Sequence, residues 1–373
     1  MIADFENLHR VTSDCRPWPG HGELAVCEVC GLVQKPVSAS WRKDAAEIYA
    51  DYHMYHQATG EAEQKVVSDG GFERRSDVLL NWAKGRLPLS ATGRYLDFGC
   101  GNGATLRSAA NALHGWDLYG YEPHVRNREA ILSIPGIKGL LSSLDDTHVS
   151  FDLITMMHVV EHIPDPSSVL REVAKKLSPG GRLFIQVPYF IDSPYELTVA
   201  DHCSHFTVQT LAHVVARAGL NIISASSDVL KREITLVATL GGDVVDPASY
   251  VQVDVETMTT AATNQVTWLA RVVDDARSVI YRPFGIFGTA IAGSWLYSHL
   301  SEMIDFFVDE DANRAGHKFL GHPVYLPSEV PKGATIYIAL IPDIARMIRD
   351  RHTSPQATWR APPHWSRPEI DIR

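Results

Sequence analysis

The sequence predicts an α/β protein in which a parallel sheet is covered by helices on both faces. Apolar strand patterns are predicted near residues 94–98, 117–121, 151–156 and 182–187. Helical patterns lie before and between them, near residues 72–86, 104–113, 124–133 and 167–177. Such alternation is typical of parallel sheets, because each crossover between parallel strands needs a connection long enough for a helix. A second strand–helix–strand pattern begins after about residue 245.

Length and composition are those of a globular protein of two or three domains. The chain has 373 residues, 45% hydrophobic and 21% charged, and a net charge of −10. That charge argues against a broad nucleic-acid surface, and no apolar run reaches the roughly 18 residues of a membrane span. The start, MIADFENLHR, shows no secretion signal, and the five cysteines have no disulfide-framework spacing. We therefore expect a cytoplasmic protein, a monomer or weak homodimer, that binds neither nucleic acid nor membrane.

The most informative segment is YLDFGCGNG at residues 95–103, an apolar strand that runs into a glycine-rich turn. Gly99, Gly101 and Gly103 remove side chains where a backbone turns tightly or approaches a ligand. The helix predicted from Ala104 would present unpaired backbone N–H groups to that ligand. The segment therefore predicts a ligand site at the end of the strand.

Two acids beside this turn indicate what it binds. Glu122 ends the next strand, and an acid about 20 residues beyond the glycines can bind ribose hydroxyls. Asp97 stands before the glycines, where its carboxylate would repel a pyrophosphate and attract a cationic ligand. The pattern predicts a nucleoside that carries positive charge; the alternative is an ordinary turn without a ligand.

The turn resembles motif I of the class I methyltransferases, whose ligand is S-adenosylmethionine. The resemblance implies that Asp97 and the glycine turn face the methionine portion of the cofactor and that Glu122 holds its ribose. The cofactor-binding residues predicted on this basis are Asp97, Gly99, Gly101, Asn102, Gly103, Glu122, Pro123 and His158.

Metal-ligand residue types are concentrated at the N-terminus. The C-E-V-C-G run at residues 27–31 has the spacing of a zinc knuckle, with two thiolates on a tight turn. The predicted zinc ligands are His9, Cys15, Cys27 and Cys30. His21 competes with His9 for the fourth position. A segment this short has little apolar core, so the metal would supply its folding energy; the alternative is three free cysteines without metal.

The segment CEVCGLVQKPV, followed by DYHMYHQATG, resembles the N-terminal zinc-binding domain of the sugar C-methyltransferases. These enzymes methylate a carbon of nucleotide-linked keto-deoxysugars in bacterial antibiotic and surface-glycan pathways. The family usually carries two cysteine pairs, and here His9 and Cys15 replace the first. The family's aromatic stretch contributes to the active site, which implies that role for Tyr52 and Tyr55; packing between domains is the alternative.

The resemblance covers nearly the whole chain and implies three parts. They are a zinc-binding module at residues 1–60, an S-adenosylmethionine-binding core at 72–245, and a C-terminal Rossmann-like α/β domain with a tail at 246–373. In the last part, a helix near 253–279 precedes a turn at Gly288–Gly293, with Asp309 after the next strand. Ala290 replaces the middle glycine of a dinucleotide turn, and the family's lysine after the turn is missing. The family uses this domain to bind the nucleotide of its substrate. Residues 353–373 are predicted to be an extended tail.

The stretch His158-Val-Val-Glu161-His162 also matches an inverted zinc-protease motif. That motif must lie on a helix, whereas this one follows the strand FDLITMM and precedes two prolines, which end regular structure. In the methyltransferases a similar segment lines the cofactor and substrate pocket. The resemblance places His158 nearest the transferred methyl group and leaves Glu161 and His162 structural.

The segment Asp201-His202-Cys203-Ser204-His205-Phe206 carries the predicted catalytic base. In the sugar C-methyltransferases the matching segment has an acid–histidine pair, followed by serine and aromatic residues. Asp201 and His202 match the pair, and His205 replaces the usual tyrosine. The family implies that His202 is the base, held by Asp201, and histidine suits this role because its unperturbed pKa is near neutrality. The alternative is a surface loop with two incidental histidines.

These patterns together predict methyl transfer from S-adenosylmethionine to a nucleotide-linked keto-deoxysugar, at carbon. An O- or N-methyltransferase acting on a sugar or another small metabolite is one alternative. A non-catalytic nucleotide-binding scaffold is the other. The predicted cofactors are S-adenosylmethionine and a structural Zn²⁺.

Overall fold

The structure is a computed structural model of the chain. It describes residues 1–52, 65–68, 71–123, 128–241, 247–250, 254–352 and 356–368. The chain divides into two compact units. The terminal unit comprises Met1–Ala58, Phe190–His205 and Asp254–Asp371, and the central unit comprises Thr59–Tyr189, Phe206–Val253 and Ile372–Arg373. The three-part division rests on the family resemblance and stays a prediction.

The secondary-structure elements have the following bounds. The strands are β1 (Arg10–Val11), β2 (Pro17–Trp18), β3 (Ala25–Val26), β4 (Val33–Gln34), β5 (Lys65–Ser68), β6 (Gly71–Arg74), β7 (Arg94–Phe98), β8 (Asp117–Tyr121), β9 (Ile137–Leu141), β10 (Phe151–Met157), β11 (Leu177–Pro188), β12 (Ser204–His205), β13 (Asn221–Ser226), β14 (Glu233–Thr239), β15 (Phe284–Phe287), β16 (Phe306–Val308), β17 (Lys318–Phe319), β18 (His322–Tyr325), β19 (Ala334–Ile338) and β20 (Ala357–Arg360). The helices are α1 (Ala39–Ala50), α2 (Arg75–Arg86), α3 (Ala104–Ala112), α4 (Arg128–Leu132), α5 (Pro166–Ala174), α6 (Val208–Arg217), α7 (Val255–Ser278), α8 (Ile291–Leu300) and α9 (Pro342–Arg351).

The central unit is built on a seven-stranded sheet in the order β13-β14-β11-β10-β7-β8-β9. Strands β9, β8, β7, β10 and β11 are parallel, which confirms the predicted Rossmann-like α/β fold. Strand β14 is antiparallel to both β11 and β13. Neither β9 nor this antiparallel edge is among the predicted strands.

The predicted elements of the central unit form where buried apolar residues and helix-start signals coincide. Tyr95 and Leu96 of β7 are fully buried, as expected for a strand covered on both faces. Helix α5 begins with Pro166 in its first turn, and the Asp165 carboxylate accepts from the backbone N–H of Ser168. Helix α2 starts later than predicted, because residues Gly71–Arg74 pair with β5 as a strand.

The terminal unit contains a second, six-stranded sheet in the order β17-β18-β16-β15-β19-β20. Strands β18, β16, β15, β19 and β20 are parallel, so the predicted strand–helix–strand pattern is observed. The tail prediction was wrong for Ala357–Arg360, which pair with β19 as an edge strand. Trp359 packs into the core there and is 7% exposed. The prolines that suggested a tail lie on either side of this strand and not within it.

The N-terminal segment of the terminal unit is a hairpin that recruits a strand from the middle of the sequence. Strands β3 and β4 pair as antiparallel neighbours, and β12 pairs with β4. Residues Ser204 and His205 are therefore in a sheet. This pairing fixes the predicted catalytic segment against the start of the chain.

Within the described ranges, none of the helices combines the length and the apolar composition that crossing a bilayer would require.

Candidate active site

The glycine turn after β7 has the backbone geometry that its sequence predicts. Gly99, Gly101 and Gly103 all have positive φ, at 80°, 50° and 80°. Residues other than glycine rarely adopt this backbone conformation. The N–H groups of Gly99 and Cys100 donate to the carbonyl of Tyr121, at 2.8 and 3.0 Å. The turn is thereby fixed to the end of β8.

Glu122 lies against this turn, as the nucleoside-site prediction requires. Its Oε2 accepts from the backbone N–H of Gly101 at 3.1 Å, and Pro123 follows it. Asn102 Oδ1 accepts from the N–H of Ala104 at 3.1 Å, which caps the first turn of α3. The structure therefore brings the glycine turn, Asn102 and Glu122 together at the carboxyl ends of β7 and β8.

Asp97 is a buried acid beneath the turn, with an exposed fraction of 1%. Its Oδ1 accepts from the Thr155 hydroxyl at 2.9 Å, and that hydroxyl lies 2.6 Å from the hydroxyl of Tyr95. A buried carboxylate needs such donors to offset its lost hydration. Desolvation, followed by the Asp97 charge, raises the pKa of Tyr95 well above 10.

Gly99→Ala is expected to lower the unfolding free energy by about 1–3 kcal/mol, because it forces a side chain into a positive-φ position. An added Cβ would also lie 2.5 Å from Val159 Cγ2. Gly85→Ala is the control, since nothing lies within 4 Å of its added Cβ and alanine favours a helix. Urea unfolding compares the variants; equal stability of Gly99→Ala and wild type would contradict the strained turn.

His158 sits in a charge cluster at the end of β10. Its Nε2 lies 2.8 Å from Arg75 Nη1 and 3.3 Å from Glu233 Oε2, while its Nδ1 lies 3.2 Å from Glu161 Oε1. Desolvation and the Arg75 guanidinium lower the pKa of His158, but the Glu233 and Glu161 carboxylates outweigh them and raise it to about 9. The two carboxylates therefore favour the protonated ring, whereas Arg75, which can only donate at 2.8 Å, favours an Nε2 without a proton.

The stability contribution of His158 should decline with rising pH. Its pKa in the folded chain, about 9, exceeds the ordinary 6.5, so protonation stabilises the fold fully below pH 6.5 and this contribution is lost toward pH 9. His158→Asn is the matched variant, because asparagine tolerates the positive φ of 54° at this position. We expect the difference in unfolding free energy between wild type and variant to shrink over that range. A difference that stays constant would contradict the raised pKa.

The His202 segment is buried, and its acid partner differs from the prediction. His202 is 5% exposed and Asp201 is 0% exposed, so a surface loop is excluded. His202 Nδ1 lies 2.8 Å from Glu196 Oε2. Asp201 instead accepts from the backbone N–H and the hydroxyl of Ser13, at 2.9 and 2.6 Å. The prediction that Asp201 holds His202 was therefore wrong; adjacent residues in this turn project in different directions.

His205 is bound to a buried lysine. Lys35 Nζ lies 3.2 Å from His205 Nε2 and donates to the carbonyls of Val199 and His202, at 2.6 and 2.8 Å. Three acceptors match the three donors of an ammonium group. Desolvation lowers the pKa of Lys35 to about 7, because it outweighs the Asp201 charge, which raises this pKa. Desolvation and then Lys35 lower the pKa of His205 well below 6.5, so His205 is neutral and serves as a structural acceptor.

Tyr52 lies near the same network, with its hydroxyl 3.4 Å from Ser13 Oγ. It therefore shares a neighbour with Asp201. Tyr55, the second predicted tyrosine, lies outside the described residues.

The predicted four-ligand zinc set is not assembled. Among the described residues, no three side chains of the set, with or without His21, bring their ligand atoms within 4.8 Å of one another. His9 stacks on His299, with ring centres 4.0 Å apart, and its Nδ1 lies 2.8 Å from the Ser298 carbonyl. Desolvation raises the pKa of the Cys15 thiol to about 12. The four donors are therefore not gathered into one cluster, because spacing along the sequence does not determine where the fold places His9 and Cys15.

The turn between Cys27 and Cys30 does have the predicted form. It joins β3 to β4, the N–H of Gly31 donates to the Cys27 carbonyl at 2.9 Å, and Gly31 has a φ of 72°. The local knuckle geometry is therefore present, although His9 and Cys15 do not complete it.

Residues 73–225 match the family model described as a methyltransferase domain. Most of the matched residues lie in the central unit, and they include the predicted glycine turn and Glu122. The matched residues make up less than half of the chain, and the sugar C-methyltransferase family is not shown.

Curated relatives are similar over this domain. The ubiquinone biosynthesis O-methyltransferase of Marinobacter nauticus is 35% identical over 123 residues, 29% of this chain and 49% of that protein. The protein of the same name from Xanthomonas oryzae pv. oryzae is 34% identical over 115 residues, 29% of this chain and 48% of that protein. The chain thus spans about half the length of the curated relatives it matches. A solved S-adenosylmethionine-dependent methyltransferase from Clostridium acetobutylicum is 14% identical, with a match that covers 45% of this chain and 91% of that chain and a TM-score of 0.37.

Several residues of these clusters escaped the sequence analysis. Arg75, Glu233, Glu196, Lys35 and Ser13 all contact a predicted site residue. Each of them comes from a distant part of the chain or lies in a segment without a motif, so no local pattern could identify it.

Proposed function

We propose that this protein transfers the methyl group of S-adenosylmethionine to an oxygen atom of a small-molecule acceptor. One observation carries the proposal: the carboxylate of Glu122 and the N–H of Gly101 meet at 3.1 Å, inside a methyltransferase domain. Both predicted halves of a nucleoside site are therefore adjacent.

The residues around this turn suit a cofactor with positive charge. Asp97 lies beneath the turn as a buried acid, and Glu122 offers carboxylate oxygens to ribose hydroxyls. When bound, S-adenosylmethionine supplies an electrophilic methyl group on a sulfonium. The glycine turn and Glu122 would hold and orient it, and orientation supplies much of the rate of such a transfer.

An oxygen acceptor is favoured by the name that the curated relatives share, O-methyltransferase. Carbon methylation of a nucleotide-linked keto-deoxysugar is the second candidate. It is favoured by the Cys27–Cys30 hairpin, whose sequence resembles the sugar C-methyltransferases. Either reaction needs a base for the proton of the acceptor. His202 stays the proposed base, with Glu196 in place of Asp201 as the acid that orients its ring.

A structural zinc also stays part of the proposal, in which Cys27 and Cys30 supply two of the four ligands that such a site needs. Elemental analysis of the full chain should find about one zinc per chain, as a single structural cluster implies. Cys27→Ser should lose that zinc, whereas Cys15→Ser and His9→Ala should keep it. A folded wild-type protein without metal would contradict this site.

The reaction is tested by incubating the protein with S-adenosylmethionine that carries an isotope-labelled methyl group, together with a panel of small metabolites. The chemical shift of the labelled carbon in the product shows whether it is attached to oxygen, nitrogen or carbon. We expect attachment to oxygen. Attachment to carbon would establish the second candidate, and binding of the cofactor without any transfer would point to a nucleotide-binding scaffold.

A further inference from the structure

Among the buried polar side-chain atoms without a hydrogen-bond partner in the described part of the central unit, those of two neutral residues lie on neighbouring strands. They are Gln186 on β11, whose Oε1 and Nε2 are both unpaired, and Thr235 on β14, whose hydroxyl is unpaired. Gln186 is 0% exposed and Thr235 is 3% exposed. Buried polar groups are paired in the great majority of folded proteins, so two such groups require an explanation.

The two side chains are neighbours on one face of the sheet. Gln186 and Thr235 stand directly opposite each other in the antiparallel β11–β14 pair. Residues in that relation have Cβ atoms about 4.5–5.5 Å apart and project from the same face. One bound group can therefore reach both side chains.

That face is the one that carries Asp97. Asp97 is in register with Thr155, and Thr155 with Phe184. Gln186 is two residues beyond Phe184 and so projects from the same face, one row nearer the carboxyl end of the strand. Ligands of such sheets bind at these carboxyl ends.

The strand order separates this pair from the ribose position. Glu122 follows β8, Asp97 is on β7, and β10, β11 and β14 continue in the opposite direction across the sheet. Gln186 and Thr235 therefore lie on the far side of Asp97 from the proposed ribose contact.

We propose that Gln186 and Thr235 bind an uncharged, oxygen-bearing group of the methyl acceptor, such as a hydroxyl beside a second hydroxyl or a carbonyl. The inference rests on the proposed function, since the ligand is the acceptor of that reaction. An amide and a hydroxyl can each donate and accept, which suits a neutral group with both roles. The nearby charge of Glu233 is offset by Arg75 at 3.5 Å and His158 at 3.3 Å, although its Oε2 makes no hydrogen bond among the described residues.

The test uses Gln186→Met and Thr235→Val in the full chain, because both changes keep side-chain volume and remove the polar atoms. Thr155→Val is the matched control for stability, since that hydroxyl is buried on the same face and hydrogen-bonded to Asp97 and Tyr95. Thermal unfolding should give Gln186→Met and Thr235→Val a melting temperature equal to or above wild type, and Thr155→Val a lower one. Removal of an unpaired buried polar group loses no hydrogen bond, whereas removal of a paired one does.

Binding is probed with catechol, an uncharged molecule with two adjacent hydroxyls, by NMR titration in the presence of S-adenosylhomocysteine. The wild-type protein should bind catechol more tightly than benzoate or toluene. Gln186→Met should weaken the affinity for catechol by about tenfold, or ~1.4 kcal/mol. The affinity for S-adenosylhomocysteine should stay within about twofold of wild type, a change far smaller than one hydrogen bond produces.

Three results would overturn this assignment. They are a melting temperature for Gln186→Met as low as that of Thr155→Val, catechol binding that is absent or unchanged by both substitutions, and a catechol-soaked structure with an ordered water only between Gln186 and Thr235. A loss of S-adenosylhomocysteine binding in Gln186→Met would assign the pair to the cofactor instead. Failure of the wild type to bind S-adenosylhomocysteine would refute the proposed function, and is seen separately from these outcomes.

Discussion

His202→Asn is expected to lower the turnover of methyl transfer by roughly 10²–10⁴-fold, the usual contribution of a general base. The ring lies in a buried segment with its Nδ1 2.8 Å from Glu196 Oε2. In the proposed mechanism, this nearby carboxylate orients the ring so that Nε2 can accept a proton. The affinity for S-adenosylmethionine should stay nearly intact, so single-turnover rates and cofactor titrations together measure the effect.

Two variants of neighbouring residues check this assignment. Glu196→Gln should also lower turnover, but by less than His202→Asn, because it removes the orienting charge and keeps the base. His205→Asn should be mild, since the neutral ring of His205 accepts from Lys35 and has a structural role. A crippling His205→Asn beside a mild His202→Asn would show that the base is misassigned. If neither change lowers turnover, the base is a different residue, and Tyr52 and Tyr55 are the next to test.

Glu122→Ala is expected to weaken S-adenosylmethionine binding by about 1–3 kcal/mol, which is roughly 5–150-fold in Kd. The substitution leaves the ribose hydroxyls without their acceptor and frees the N–H of Gly101, which now donates to Glu122. Isothermal titration of the full chain measures the change.

Asp117→Ala is the matched control for that titration. Asp117 begins the same strand that Glu122 follows, and it pairs only with the exposed Lys138 at 3.6 Å among the ion pairs of the described residues. Its removal should leave the cofactor affinity unchanged, because exposed ion pairs contribute little. Equal affinities for Glu122→Ala and Asp117→Ala would refute the ribose assignment.

The geometry of the glycine turn and its contact with Glu122 could be predicted from sequence because their determinants are local. Positive φ at Gly99, Gly101 and Gly103 follows from a turn that must reverse within a few residues. The approach of Glu122 to Gly101 follows from two adjacent parallel strands that end at the same edge. Strand and helix positions in the central unit follow from apolar periodicity in the same way.

The catalytic segment could not be predicted to the same depth, because its contacts are long-range. Asp201 bonds Ser13, which is 188 positions away, and Arg75 reaches His158 across 83 positions. Adjacency in sequence suggested that Asp201 holds His202, whereas the backbone directs the two side chains apart. The zinc assignment failed in the same manner: the Cys27–Cys30 turn is local and was predicted, but the places of His9 and Cys15 depend on packing against α8.

A crystal structure of the full chain with S-adenosylhomocysteine is the most direct test of the central claim, that the turn after β7 binds the methyl donor. The ribose hydroxyls should lie within hydrogen-bond distance of the Glu122 carboxylate. The homocysteine portion should lie along the Gly99–Gly103 turn above Asp97. A nucleoside bound elsewhere, or a glycine turn that stays empty at saturating ligand, would contradict the assignment of this chain as an S-adenosylmethionine-dependent methyltransferase.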